Sequence, residues 1–225
     1  MSRLKICVPV IERSNQAAAQ ALKQIAARGY VAELRVDYLA QPDLPWLLEA
    51  RPGPVIVTNR LPQEGGQWQG SETDRQRLLE EALELGVEYL DVELQAETQW
   101  RDDLLARRGS TRIILSWHDF QGTPETTRLE DILAEQMQQN ADLVKLVTLA
   151  RKSEDNLRVL SLIPQAHGAG QEIIAFCMGP LGKFSRVIAP LLGSYLTFAT
   201  LAAGRESAPG QLTVSEVEAI WGILA

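Results

Sequence analysis

Short apolar runs recur along the chain, and helix-period patterns fill most of the gaps between them. The runs lie at residues 4–10 (LKICVPV), 31–37 (VAELRVD), 54–60 (PVIVTNR), 89–94 (YLDVEL), 112–117 (RIILSW), 142–150 (DLVKLVTLA), 172–178 (EIIAFCM) and 194–200 (SYLTFAT). Ser14 opens an Ala/Gln-rich helix that stops at Gly29, and another starts near Asp43. Ser71-Glu72-Thr73-Asp74 is a capping-box pattern for a helix ending at Gly86, and Thr213-Val214-Ser215-Glu216 opens the last helix in the same way. Thr123-Pro124 is expected to open the helix after the fifth strand, and Ser153 to cap the one after the sixth. Strands alternating with helices imply parallel pairing through right-handed crossovers. About eight such units in 225 residues match the count and size of an α/β (β/α)8 TIM barrel, here one domain over residues 1–225. An open doubly wound sheet is the alternative; it fits less well because no Gly-rich phosphate fingerprint follows the first strand.

Composition narrows the function classes. A net charge of −7 argues against general nucleic-acid binding, though not against a small anion. Cys7 and Cys177 both sit in apolar runs, which suits buried, reduced thiols in a cytoplasmic protein rather than a disulfide framework or a metal site. No secretory signal precedes the first strand. Residues 187–204 lack charge and are long enough to span a membrane, but Pro190, Gly193 and Ser194 interrupt them, so a helix end, a turn and a buried strand are expected.

Candidate chemistry centres on Lys145, in the middle of the sixth strand and on one face with Leu143 and Val147. Burying an ammonium is costly, and the same cost lowers the pKa of a lysine toward the neutral amine that forms Schiff bases with carbonyls. Taken alone, the stretch equally allows an outward side chain that snorkels between helices. In a (β/α)8 barrel the active site lies at the C-terminal strand ends. There the chain offers Glu33 and Arg35 on the second strand, Arg60 at the end of the third with Glu64 in the loop beyond it, Asp91 and Glu93 on the fourth and His118 just past the fifth. Arg186 follows the seventh strand, and Ser207 and Gln211 the eighth. Glu33 with Arg35, or Asp91 with Lys145, could equally be structural ion pairs. His167, before Gly168, reads as a helix-end residue facing carbonyls. A lysine for a carbonyl, a histidine for protons and arginines for an anionic group are the tools of Schiff-base lyases and aldolases.

With these residues assembled, the chain resembles type I 3-dehydroquinate dehydratase, the Schiff-base enzyme of the shikimate pathway, over nearly its whole length. The resemblance rests on six blocks: ELRVD with Glu33 and Arg35, TNR then EGG with Arg60 and Glu64, SWHDF with His118, DLVKLVTLA with Lys145, MGPLGKFSRV with Arg186, and SAPGQLTV with Ser207 and Gln211. It implies a (β/α)8 barrel that dehydrates 3-dehydroquinate without metal or cofactor. It further implies that Lys145 forms the imine, His118 moves the protons and Glu64 orients His118. Arg186, Ser207 and Gln211 would hold the substrate carboxylate and ring, and Glu33, Arg35 and Arg60 its hydroxyls. A homodimer is the family expectation.

Two departures qualify the resemblance. Many relatives carry an N-terminal β-hairpin under the barrel, for which Met1–Arg3 leave no room, and Pro9 stands where some have a serine. With the sequence ending at Ala225, no fused shikimate dehydrogenase domain is expected. Gly204 and Gly210 bracket a loop expected to act as a lid. The competing readings are a class I aldolase using the same lysine, disfavoured by the lack of a Gly-rich phosphate loop, and a non-catalytic barrel with a small-acid pocket.

Overall fold

The computed structural model describes residues 4–49 and 51–224. Expectations that fall on residues 1–3 and 225, the missing hairpin and the end of the chain, lie outside the described residues. The chain forms two compact units, one of residues 8–115 and the other of the residues before 8 together with those from 116 onward.

Strand β1 (Ile6–Val10) runs from the second of these units into the first. It is followed by α1 (Asn15–Ala27), β2 (Val31–Arg35), α2 (Leu44–Leu48), β3 (Val55–Thr58), α3 (Glu72–Glu84), β4 (Tyr89–Glu93) and α4 (Thr98–Arg107). β2 and β3 pair in parallel with Glu33 opposite Ile56 and Arg35 opposite Thr58, and β3 and β4 pair with Thr58 opposite Asp91. Positions in register share a face, so Glu33, Arg35, Thr58 and Asp91 lie on one side of these strands. At Ser116, β5 (Arg112–Asp119) crosses into the other unit, which continues with α5 (Thr126–Gln138), β6 (Leu143–Leu149), α6 (Glu154–Leu160), α7 (Leu162–Gly168), β7 (Glu172–Met178), α8 (Lys183–Leu191), β8 (Thr197–Phe198) and α9 (Val214–Leu224). β6 pairs with β7 over its whole length, and β8 pairs with β1 through Ile6–Thr197 and Cys7–Phe198. The strand order is β7-β6-β5-β4-β3-β2-β1-β8, the (β/α)8 barrel class expected from the pattern.

The caps explain most helix boundaries. Ser14 accepts the Ala17 N–H and Ser71 the Asp74 N–H, while Thr213 and Glu216 cap each other's backbone as a capping box. One expected start and one expected side-chain cap are corrected. Thr123 does not open α5, which begins at Thr126; its hydroxyl is taken by Thr148 Oγ1 (2.7 Å) and the Leu149 carbonyl (3.0 Å). Ser153 supplies no side-chain cap, and Asp155 instead accepts the N–H groups of Arg151 (2.8 Å) and Lys152 (3.0 Å). The helix after β6 is broken into α6 and α7 at Ser161; Pro164 lacks an N–H and its ring clashes with the carbonyl four residues back, so one continuous helix is disfavoured there. Helix α4 has no clear signal in the sequence; its apolar face is narrow, and Glu97, rather than a serine or threonine, accepts the first N–H groups.

Residues 187–204 divide into the end of α8, a turn and β8, and no helix among the described residues is long and apolar enough to cross a membrane. β8 is only two residues long, much shorter than its apolar run. Cys7 and Cys177 are buried as expected, and neither is in a disulfide. His167 lies in the last turn of α7, its ring close against Gly193.

Candidate active site

In the unit that contains β6 to β8, the strand register decides where Lys145 points. Thr148 is opposite Cys177 and shares its face, which meets the helical layer: the Cys177 thiol lies 3.7 Å from the Asp155 carbonyl oxygen, and Asp155 belongs to α6. Lys145 is opposite Ile174, and Val147 opposite Phe176; these have the other parity and turn away from those helices. Lys145 is 4% exposed, which rules out the snorkelling alternative. Its Nζ lies 4.6 Å from the centroid of the Phe198 ring. The Lys145 carbonyl also accepts the buried Gln136 amide from α5 at 3.0 Å, which fixes the strand at this residue.

Phe198 packs on Phe176 with ring centroids 5.9 Å apart, and the Arg186 guanidinium lies 4.6 Å from the Phe176 ring. Two rings in tilted contact thus support the lysine and an arginine of the candidate site, with cation–π attraction at each end. Neither aromatic stands out in the sequence, because Phe in an apolar strand looks like ordinary core.

Arg186, on α8, is 1% exposed. Its Nη2 donates to the Pro209 carbonyl at 3.3 Å, and its Nε has no hydrogen-bond partner among the described residues. No described carboxylate pairs with it. Burial accordingly pushes its pKa down to about 10, a value that leaves it charged at neutral pH. A buried cation so poorly matched is a ready anion site.

The Pro209 carbonyl also accepts the Gly179 N–H at 2.9 Å, so the loop after β8 is held against the end of β7. Gly210 makes this approach possible: its φ is +78°, and a Cβ there would come within 2.1 Å of the Gly179 oxygen. Gly210 is therefore a close-packing position rather than the open bend expected of it, whereas Gly204 has free space around it. Within the loop, Gln211 accepts the Ser207 N–H (2.9 Å) and donates to the Ser207 hydroxyl (3.0 Å). The loop, Pro180 and Lys183 border a surface cavity of about 570 Å³. His118 is half-buried near the end of β5, its ring centroid 6.4 Å from that of Phe120.

In the unit of residues 8–115, acidic and basic side chains form a buried network. Arg35 donates Nε and Nη2 to the two oxygens of Asp37 at 2.8 and 2.7 Å, so its bidentate carboxylate partner is Asp37. Glu33 accepts the Thr58 hydroxyl at 3.1 Å. Arg60 meets Asp91 at 2.6 Å, Glu93 at 3.1 Å and Glu64 at 3.9 Å. Burial opposes the Arg60 charge, but Asp91, Glu93 and Glu64 more than offset it and hold its pKa above the ordinary arginine value. Burial likewise opposes the charge on Arg35, and Asp37 more than offsets it, so the Arg35 pKa is also raised. Glu64 ends the short 3-10 turn Pro62–Glu64, and Gly65 follows in the left-handed region. Among the described residues no three His, Cys, Asp or Glu side chains converge as a metal-ligand set.

The site residues read from the sequence are therefore largely buried and locally ordered, in two charge environments. Arg35 and Arg60 are saturated with carboxylates, and Arg186 has none. Asp37 and Arg75 are not apparent as site residues from the sequence; Asp37 is two residues beyond Arg35, but only the turn Val36–Tyr38 brings its carboxylate back onto the guanidinium.

Residues 6–225 match the profile of the family described as type I 3-dehydroquinase. A protein named 3-dehydroquinate dehydratase from Methanococcus maripaludis is 35% identical over 220 residues, 96% of this chain and 97% of that one. One from Desulfotalea psychrophila is also 35% identical, covering 98% of each chain. The crystal structure of 3-dehydroquinate dehydratase from Geobacillus kaustophilus superposes with a TM-score of 0.91 at 26% identity, covering 99% of this chain and 91% of that one.

Proposed function

The chain belongs to the type I 3-dehydroquinase family, and from that membership we propose that it dehydrates 3-dehydroquinate to 3-dehydroshikimate through a Schiff base on Lys145. Its class is that of a carbon–oxygen hydro-lyase. The observation that carries the proposed mechanism is the pair of cations on one aromatic support: a buried lysine at Phe198 and a buried arginine without a carboxylate at Phe176. A substrate with a ketone and a carboxylate answers both.

In this reading the Lys145 amine adds to the C3 ketone, and the adduct loses water to give an iminium. The iminium accepts the electron pair left at C2 when His118 removes that proton, forming an enamine. The enamine then expels the C1 hydroxyl, which leaves as water with the proton held by His118. Hydrolysis of the conjugated iminium frees the product and restores the amine. Positioned acid–base catalysis of this kind contributes about 10²–10⁴ in rate. Glu64 sets the orientation of the His118 imidazole. Arg186, Ser207 and Gln211 hold the carboxylate and close the loop over it, while Glu33, Arg35 and Arg60 face the ring hydroxyls. Nothing in this sequence of steps calls for a metal or an organic cofactor.

Borohydride reduction in the presence of 3-dehydroquinate, followed by peptide mass analysis, tests the mechanism. The adduct is expected on the peptide containing Lys145, and Lys145→Ala should abolish both the adduct and the enone absorbance of the product. An adduct on another lysine overturns the assignment. Retro-aldol fragments in place of the enone would make the chain an aldolase.

One family match across both compact units supports reading residues 1–225 as one catalytic domain. The buried cysteines, neither in a disulfide, suit a cytoplasmic enzyme. We further propose that two copies associate through the neighbouring helices α6, α8 and α9, where Leu157, Phe184, Leu191, Ile223 and Leu224 are exposed.

A further inference from the structure

The loop that carries Glu64 is fastened at both ends by buried carboxylates, and each carboxylate also grips an arginine of the candidate site. At its start, the Leu61 N–H donates to Glu93 Oε1 at 3.3 Å, and that oxygen lies 3.1 Å from Arg60 Nη1. The second oxygen of Glu93 accepts Arg75 Nη1 at 2.8 Å. At its end, the Gln67 N–H donates to Asp37 Oδ2 at 2.9 Å, while Asp37 holds Arg35 through the bidentate pair. Between the two anchors the loop is closed on itself. The Gly66 N–H donates to the Leu61 carbonyl at 2.9 Å, and a Cβ on Gly66 would fall 1.9 Å from the Arg60 oxygen. A loop this tight moves as a body, so its anchors decide where Glu64 sits.

We propose that Asp37 is a positioning residue for the dehydration. By joining the end of the Glu64 loop to Arg35, it sets the Glu64 carboxylate and the Arg35 guanidinium in one fixed relation. This rests on the proposed reaction, in which Glu64 orients the proton-transfer histidine and Arg35 meets the substrate. Asp37 itself has a fully buried side chain. Its chemistry suits this role, since its two carboxylate oxygens accept three N–H groups, two from Arg35 and one from Gln67. An asparagine has the same shape but one acceptor, and its NH2 would have to face a donor. Glu93 acts in the same way at the start of the loop, but it is also bound into the Arg75 network that joins α3 to the strands. Asp37 is the cleaner probe.

The test uses Asp37→Asn and, as an independent cut, Gln67→Pro, which deletes the loop's donor and leaves Arg35 paired. Misplacing a catalytic group by about 1 Å costs roughly 10²-fold in rate. Both variants should therefore lose on the order of 10- to 100-fold in kcat, with Gln67→Pro changing KM little. Their kcat–pH profiles should shift in the same sense as that of Glu64→Gln. Adding Asp37→Asn to Glu64→Gln should cause little further loss in kcat, because the group being positioned is already disabled. Amide hydrogen exchange over residues 61–67 should be faster in Asp37→Asn. The proposal is overturned by kcat within twofold of wild type in both variants, by a full additional loss on top of Glu64→Gln, or by unchanged exchange in the loop. Failure of both variants to fold makes Asp37 a residue of the fold and overturns it equally. An inactive wild type would instead remove the proposed reaction, and the exchange measurement would still report on the anchor.

Discussion

At the scale of single residues, the buried arginines divide by what surrounds them. Arg35, Arg60 and Arg75 are each offset by carboxylates, whereas Arg186 is buried with one carbonyl bond and an unsatisfied Nε. An unpaired buried charge lowers stability, and the proposed role of Arg186 in holding the substrate carboxylate would account for its being kept. Arg186→Leu is expected to leave urea stability equal to or above that of wild type. Losing a charge-assisted hydrogen bond worth about 1.5–3 kcal/mol should weaken substrate binding roughly 10- to 150-fold. A steady-state KM and a urea midpoint check the two halves separately. Lys145 was legible as a candidate from its place inside an apolar strand, and Arg186 from following the seventh strand. The contrast between Arg186 and the carboxylate-bound arginines was not, because pairing depends on which strands and turns bring the acids near.

At the scale of elements, α6 shows how a start is made without a side-chain cap in the usual position. Asp155 folds back on the preceding N–H groups of Arg151 and Lys152 and pairs with Arg158. Burial works to raise its pKa, but the two backbone bonds and the Arg158 charge outweigh it and hold the carboxyl below the ordinary carboxylate range. A depressed folded-state pKa stabilises the protein above the unfolded value of about 3.9, and the gain fades as pH falls through the lower folded value. Asp155→Asn should therefore melt lower than wild type at pH 7, and the difference should shrink as the pH is taken below about 4. Melting curves across that range read it directly; a constant difference would mean that the charge is irrelevant to α6. The sequence pattern located this helix, but its serine was the wrong anchor, since Ser153 already has helical backbone angles.

At the scale of the whole molecule, the exposed apolar side chains on α6, α8 and α9 set the proposed self-association. Light scattering should give twice the 24.9 kDa chain mass for the wild type. Phe184→Asp, which puts a charge among these side chains, should shift it to the monomer mass. A dimer unaffected by that change would place the interface elsewhere, and a monomeric wild type would remove the proposal.

Apart from α4 and the break between α6 and α7, the order of strands and helices was open to the sequence, as were the (β/α)8 class and the candidate lysine, histidine and arginine. Apolar periodicity follows from which face is buried, and catalytic residues of this architecture cluster at strand ends. What the sequence left open were relations between side chains distant along the chain. Lys145 could point either way until the β6–β7 register put Thr148 and Cys177 toward the helices. Asp37 gained its place from the Val36–Tyr38 turn and from a loop some 30 residues away, at Gln67. Phe176 and Phe198 became supports for two cations only once β7 and β8 were brought together. Local patterns encode which residues are buried. Only the folded chain decides which buried charges meet a carboxylate and which do not.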